Sequence, residues 1–133
     1  MIDNKLLNNF NSNPPADMMS VNRIKTDIGI ELPNDYIEFM IHSNGGEGFI
    51  GSDSYIIIWK LEDLFELNNA YQVPEYAPGI FLFGSDGGGD AYGFDIRTND
   101  VKIISIPFVG MDINLIKILG ADFTSFINYL FNT

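Results

Sequence analysis

Apolar positions along the chain follow two different periods. Near both termini they recur every three or four residues, and through the middle they alternate or cluster in runs of strand length. Leu6, Leu7 and Phe10 predict a short helix over Asp3 to Phe10, which Asn11-Ser12-Asn13-Pro14-Pro15 breaks. Asp17 suits the N-cap of a second helix in which Met18, Val21, Ile24 and Ile28 share a face, and Gly29 suits its end. After the connector Ile30 to Pro33, a third helix is expected. Pro33 fits its first turn, where a missing N–H costs little, and Asp35 and Glu38 lie near the positive end of its dipole. Tyr36, Phe39, Met40 and Ser43 form one face of it, with Ile37 and Ile41 beside them. Asn44-Gly45-Gly46 stops it, because Asn and Gly accept left-handed cap geometry.

The middle of the chain reads as strands. Gly48 to Ile50 and Tyr55 to Trp59 flank a turn at Gly51-Ser52-Asp53. The second run is apolar on both faces, which predicts a central position in a sheet. Leu61 to Tyr71 predicts a helix with Leu61, Leu64 and Phe65 inward and Glu62, Asp63 and Glu66 outward; Pro74 to Gly79 predicts a loop. Ile80 to Phe83 and Ala91 to Ile96 predict a strand pair around Ser85-Asp86-Gly87-Gly88-Gly89-Asp90. Arg97 to Asp100 is a turn into the strand Val101 to Ile106, which Pro107 ends or kinks. Leu115 to Leu119 fits more than one state. At the C-terminus Asp122 caps a helix carrying Phe123, Phe126, Ile127, Leu130 and Phe131 at helical spacing. Helices, then mostly antiparallel strands with one inserted helix, then a helix, is an α+β order. Ile56, Ile58, Phe81, Phe83, Phe94, Phe126 and Leu130 are the expected core.

Composition narrows the function more than the fold. The 133 residues fit one domain, and 46% of them are hydrophobic, enough for a real core. The net charge is −11, which argues against binding nucleic acid or an anionic membrane, since phosphate contacts need Lys and Arg. It favours association with a basic protein. Between Thr26 and Ile96 stand thirteen acidic residues and one basic residue, Lys60. That imbalance describes either a solvated acidic surface or a face presented to something cationic. No cysteine is present, so disulfides and thiolate metal sites are excluded, and a cytoplasmic location is expected. Neither a signal peptide nor an apolar run of membrane-spanning length is visible.

Few residues suggest chemistry. Asp86, Asp90 and Asp95 lack EF-hand spacing and its closing Glu, so a structural turn is the simpler reading of the glycine loop. The loop is no phosphate cradle either, since no Gly-Lys-Ser/Thr follows it. His42 is the only histidine and has no evident partner for metal binding or base catalysis; a helix-end role is expected. No catalytic residue, metal or cofactor is therefore expected, and no enzyme. Positive φ, or the close approach of another backbone, is expected in the glycine loop, with Gly88 the chosen position. Trp59 and Tyr55 share one strand face, with Ile57 between them, and either pack in the core or anchor an interface.

Several segments, in order, resemble the SUKH superfamily, which includes the fungal Smi/Knr cell-wall assembly regulators and many bacterial immunity proteins. The segments are Leu32-Pro33-Asn34-Asp35-Tyr36-Ile37-Glu38-Phe39-Met40 with Asn44-Gly45-Gly46, then Trp59-Lys60-Leu61 with Asn68 and Tyr71. Phe83-Gly84-Ser85-Asp86-Gly87-Gly88-Gly89-Asp90-Ala91-Tyr92-Gly93-Phe94-Asp95 follows, then Ile106-Pro107 and Ala121-Asp122-Phe123-Thr124-Ser125-Phe126, with Asp122 where Ser is usual. The likeness runs over nearly the whole chain from about Asp17, leaving residues 1–16 as an N-terminal extension to a single domain over 1–133. It implies a curved, mostly antiparallel sheet flanked by helices. Leu32, Pro33, Tyr36, Phe39, Asn44, Gly45, Gly46, Tyr92, Phe94, Asp95, Phe123 and Phe126 would then serve structure. It also implies an immunity protein, monomeric or weakly dimeric, that neutralises a cognate toxin encoded nearby, many such toxins being nucleases. The expected partner surface is Trp59, Glu62, Asp63 and Glu66 with Asp86, Gly87, Gly88, Gly89 and Asp90, the carboxylates standing in for phosphates. A scaffold or regulatory interaction domain, or a small-ligand binder using the glycine-loop cleft, are the alternatives.

Overall fold

A computed structural model describes residue 2, residues 4–29 and residues 31–133. Asp3 and Ile30, at the start of the first expected helix and in the connector, lie outside the described residues.

One antiparallel sheet organises the chain. Among the described residues it has seven strands in sequence order: β1 (Asn9–Ser12), β2 (Gly46–Ile50), β3 (Ser54–Ile58), β4 (Ile80–Ser85), β5 (Asp90–Asp95), β6 (Lys102–Pro107) and β7 (Lys117–Gly120). Helices α1 (Met18–Ile28) and α2 (Asn34–His42) come between β1 and β2. Helices α3 (Leu64–Ala70) and α4 (Val73–Tyr76) come between β3 and β4, and α5 (Phe123–Phe131) follows β7. This is an α+β fold with an open sheet. No described helix is long and apolar enough to cross a membrane.

Caps set the helix ends much as the sequence predicts. The Asp17 carboxylate accepts from the Ser20 N–H at 2.8 Å, and Gly29 closes α1 at φ +72°. Asp122 accepts from the Ser125 N–H at 2.8 Å. A second carboxylate reaches α5 from far along the chain. Asp35, in the first turn of α2, accepts from the N–H groups of Phe123 (3.1 Å) and Thr124 (2.7 Å) and from the Thr124 hydroxyl (2.9 Å). It serves the dipole of α5 as well as its own.

The sheet separates two apolar clusters. On one face α1, α2 and α5 cover Ile50, Ile56, Ile58, Phe83, Phe94 and Ile103; on the other, Val73, Ala77 and Met111 cover Ile80, Leu82, Ala91, Ile104 and Ile106. All seven expected core residues are buried. Strand β4 is buried along its full length because it feeds both clusters, with Phe81 and Phe83 on one side and Ile80 and Leu82 on the other. Strand alternation alone places them so, and the register to β5 shifts between Leu82 and Gly84.

Four local expectations change. The helix expected over Asp3 to Phe10 is a 3-10 turn, Asn4–Leu7, followed by β1. Phe10 lies opposite Gly48 and packs on Phe39, so pairing with a glycine-bearing strand overrides local helical spacing. The expected helix over Leu61 to Tyr71 divides into a 3-10 turn, Leu61–Asp63, and α3. The loop expected over Pro74 to Gly79 contains α4, because Pro74 occupies its first turn. Leu115 to Leu119 becomes a 3-10 turn leading into the edge strand β7.

Candidate functional site

The family-motif side chains converge on one aromatic cluster. Tyr36 packs against Phe94 (4.8 Å), Phe83 (5.5 Å) and Phe123 (5.5 Å), and Phe39 packs against Phe123 (5.1 Å). Phe126 lies edge-on to Phe83 and to Tyr92. Leu32 is buried beside this cluster, and Pro33 is the N-cap of α2. Asp95 is tied to Arg97 by paired hydrogen bonds, which hold its carboxyl below the usual range.

Asn44 and Gly45 are fixed by close packing. The Asn44 carboxamide accepts from the Leu61 N–H at 2.9 Å and donates to Glu62. At Gly45, φ is +79° and an added Cβ would lie 2.2 Å from the Ile58 carbonyl oxygen, so a side chain is excluded. Gly46 starts β2. Asn68, buried on α3, bonds both the N–H and the carbonyl of Leu82 and so pins α3 to the irregular part of β4.

The second sheet face is covered only in part. Over β2 and β3 it presents Glu47, Phe49, Tyr55, Ile57 and Trp59, half-buried or exposed. Strand β3 is interior in the sheet, as expected, but only Ile56 and Ile58 are buried; its other face is open because α3 and α4 stop short of it. Trp59 neither sinks into the core nor stands free. It stacks on Tyr71, with ring planes 9° apart, and Tyr71 continues onto Phe108. Tyr55 packs edge-on to Phe49, and its hydroxyl donates to the Glu47 carboxylate. That bond raises the Tyr55 phenol above its ordinary range. A groove on this face is lined by Tyr55, Ile57 and Trp59 together with Glu47 and Asp63.

Beyond Tyr55 lies a second depression, a cleft of about 320 Å³ at the glycine-loop end of the sheet. Asp86 and Asp90 enter it from the loop, Asp53 from the β2–β3 turn, and Tyr129 from α5; Tyr92 and Ser105 line it from β5 and β6. Within the loop Asp86 Oδ1 accepts from the N–H groups of Gly88 (2.8 Å) and Asp90 (3.2 Å). The positive φ falls at Gly87 (+79°), not at Gly88. An added Cβ at Gly87 would lie 3.0 Å from the Tyr55 ring, whereas one at Gly88 meets only the Asp86 carboxylate at ordinary contact distance. The turn places its sharpest residue one position earlier because Asp86 bridges to amides further along the loop. Gly89 has open space.

The expected partner residues therefore divide. Asp63 and Trp59 belong to the groove, and Asp86 and Asp90 to the cleft; Tyr55 is the wall they share. Glu62 is engaged by Asn44, and Glu66 is exposed on α3 outside both depressions. Sequence reasoning missed Asp53, Tyr92, Ser105 and Tyr129 as cleft residues. A serine inside the apolar run of β6 was the one local signal. Burial, followed by the charges of Asp86 and Asp90, pushes the Tyr92 phenol up to about 12. His42 ends α2, exposed to solvent. Among the described residues no group of three His, Cys, Asp or Glu side chains could hold a metal ion.

The model of the SMI1 / KNR4 family (SUKH-1) matches residues 15–129. Over 75 residues the chain is 36% identical to a Bacillus subtilis (strain 168) protein named "Uncharacterized protein YnaB". That stretch covers 56% of this chain and 47% of the relative, so the chain matches about half of the relative's length.

Proposed function

The chain belongs to the SMI1 / KNR4 family (SUKH-1), and from that premise we propose that it is an immunity protein. It binds a cognate toxin with a basic, nuclease-type substrate site and blocks it by occupancy, without turnover. The observation that carries this reading is the uncovered part of the sheet, where aromatic side chains and carboxylates face solvent together. Interfaces favour such a pairing: Trp and Tyr supply rigid contact area, while the surrounding charges set orientation and association rate. A net charge of −11 steers the protein toward a cationic target and away from nucleic acid. The partner surface in this reading is the groove with the adjoining cleft, and Glu62 and Glu66 contribute through the long-range field rather than by contact.

The test is co-expression with the product of the neighbouring gene, scored for rescue of growth and for a purified one-to-one complex. The reading expects both, and it expects Trp59→Ala to abolish rescue while the variant remains folded. A neighbouring product that is harmless, or that is not retained by this protein, overturns it.

A further inference from the structure

We propose that the outer edge of β7 pairs with the same edge of a second copy of this chain, antiparallel about a two-fold axis at Ile118, so that two sheets join into one. The sheet ends at β7, and among the described residues no backbone group of residues 117–120 bonds to backbone outside the sheet. Helix α5 does not close that edge, because it lies under the sheet with Phe126 on Phe83 and Tyr92. An open edge offers unpaired N–H and C=O groups to any chain that can lie along it, and native folds usually blunt it with polar side chains. Strand β1, at the other end of the sheet, does so, since Asn9, Asn11 and Ser12 face solvent. Strand β7 does not. Ile118 is 67% exposed, and Leu115, just before the strand, is 56% exposed. Ile118 lies opposite the buried Ile104, and Ile116 packs on the same cluster. The apolar layer of the second sheet face therefore runs out to the edge with nothing over its end.

Charge selects a second copy as the occupant. Arg97, Lys102 and Lys117 balance Asp100, Asp112 and Asp122, so residues 97–133 carry no net charge and the whole −11 belongs to residues 1–96. Two copies that meet through that acidic part repel each other, whereas across β7 they meet through the neutral part. A basic partner is drawn to the acidic part instead. Asp86 and Asp90 approach β7 on the face that α5 covers, where Lys117 shares their depression. Side chains also select the register. Pairing centred on Ile118 sets Ile118 against Ile118 and Lys117 against Leu119. Pairing centred on Lys117 would set two lysines opposite each other, which opposes association. Four residues of ladder make a small interface, so the dimer is weak and reversible. It leaves the aromatic groove on β2 and β3 free, because β4, β5 and β6 stand between.

The test is sedimentation equilibrium of the full chain across a wide range of concentration. The mass should rise toward that of two chains and no further. Added salt should strengthen the dimer, because screening relieves repulsion between the acidic parts. Ile118→Asp should weaken it roughly tenfold or more, by placing like charges opposite each other and removing apolar contact. Met19→Asp, at an exposed position on α1, should leave it unchanged. The chain has no cysteine, so Ile118→Cys introduces a single thiol. Directly opposed residues have Cα atoms about 4.5–5.5 Å apart, within reach of a disulfide. With oxidised glutathione, Ile118→Cys should cross-link much faster than Met19→Cys. An unchanged melting temperature verifies that each variant is folded. In the unsubstituted chain, amide exchange at residues 116–119 should slow as concentration rises, which reads the edge without any substitution. A single-chain mass at every concentration, growth past two chains, a dimer that salt weakens or that ignores Ile118→Asp, or equal cross-linking at the two positions overturns the proposal. Those results leave toxin binding standing, and loss of toxin binding leaves the dimer standing.

Discussion

The hydroxyl of Tyr36 lies fully buried with no hydrogen-bond partner among the described residues. The ring is held by three phenylalanines, and burial alone raises its phenol far above the ordinary value. An unpaired buried hydroxyl opposes folding, so Tyr36→Phe should leave stability unchanged or raise it by about 1 kcal/mol. A loss above about 1 kcal/mol in urea unfolding would show that the hydroxyl is bonded. The glycine loop gives a paired test. Gly87→Ala should cost about 1 kcal/mol or more, for its positive φ and the Tyr55 ring, while Gly88→Ala should stay within about 0.5 kcal/mol. Equal costs would contradict the assignment of the turn. That the loop needed a special glycine was legible in the sequence; which glycine was not, because the choice depends on where Asp86 directs its carboxylate and where Tyr55 lies.

At the level of elements, α5 is held at its start by two carboxylates, the local Asp122 and the distant Asp35. Asp35→Ala removes three hydrogen bonds that tie α2 to α5 and should destabilise by about 1–2 kcal/mol, with amide exchange rising first at Phe123 and Thr124. Asp122→Ala should cost about 1 kcal/mol and leave the α2–α5 packing unchanged. A smaller effect for Asp35 than for Asp122 would refute this division. The same comparison shows what sequence carries. Asp122 is readable because its acceptor and donor lie three residues apart. The role of Asp35 is not, since its partners are 88 and 89 positions away. Strand β1 escaped for the same reason, as Phe10 gains its strand conformation from Gly48. Strands β4 and β5 did not, because their partners adjoin in sequence and their apolar runs exceed anything a loop would carry.

For the molecule as a whole, alkaline pH and charge are the two levers. Tyr92 and Tyr36 both have phenols raised above the unfolded value of 10.0, Tyr92 to about 12. A raised pKa means the fold favours the protonated form. Their contribution is complete below pH 10.0 and shrinks as the pH climbs from there through 12. The urea midpoint should therefore hold steady to about pH 9.5 and fall above it, and Tyr92→Phe should flatten part of that fall. An unchanged slope in the variant would place the titrating group elsewhere. The proposed partner surface is the least legible feature of the chain. The sequence marks an acidic middle and an aromatic strand, but the cleft draws Asp53, Asp90, Ser105 and Tyr129 from four separate segments, and no linear pattern announces that meeting.

The most direct measurement is the association rate of the purified protein with the proposed partner, the product of the neighbouring gene, taken across a series of salt concentrations. Charge steering makes the rate fall steeply as salt rises, because screening shortens the reach of the acidic field. Replacing Asp63, Asp86 and Asp90 with Asn should lower the low-salt rate and reduce the slope, while Trp59→Ala should act mainly on dissociation. An association rate indifferent both to salt and to these substitutions would contradict an acidic, aromatic toxin-binding face.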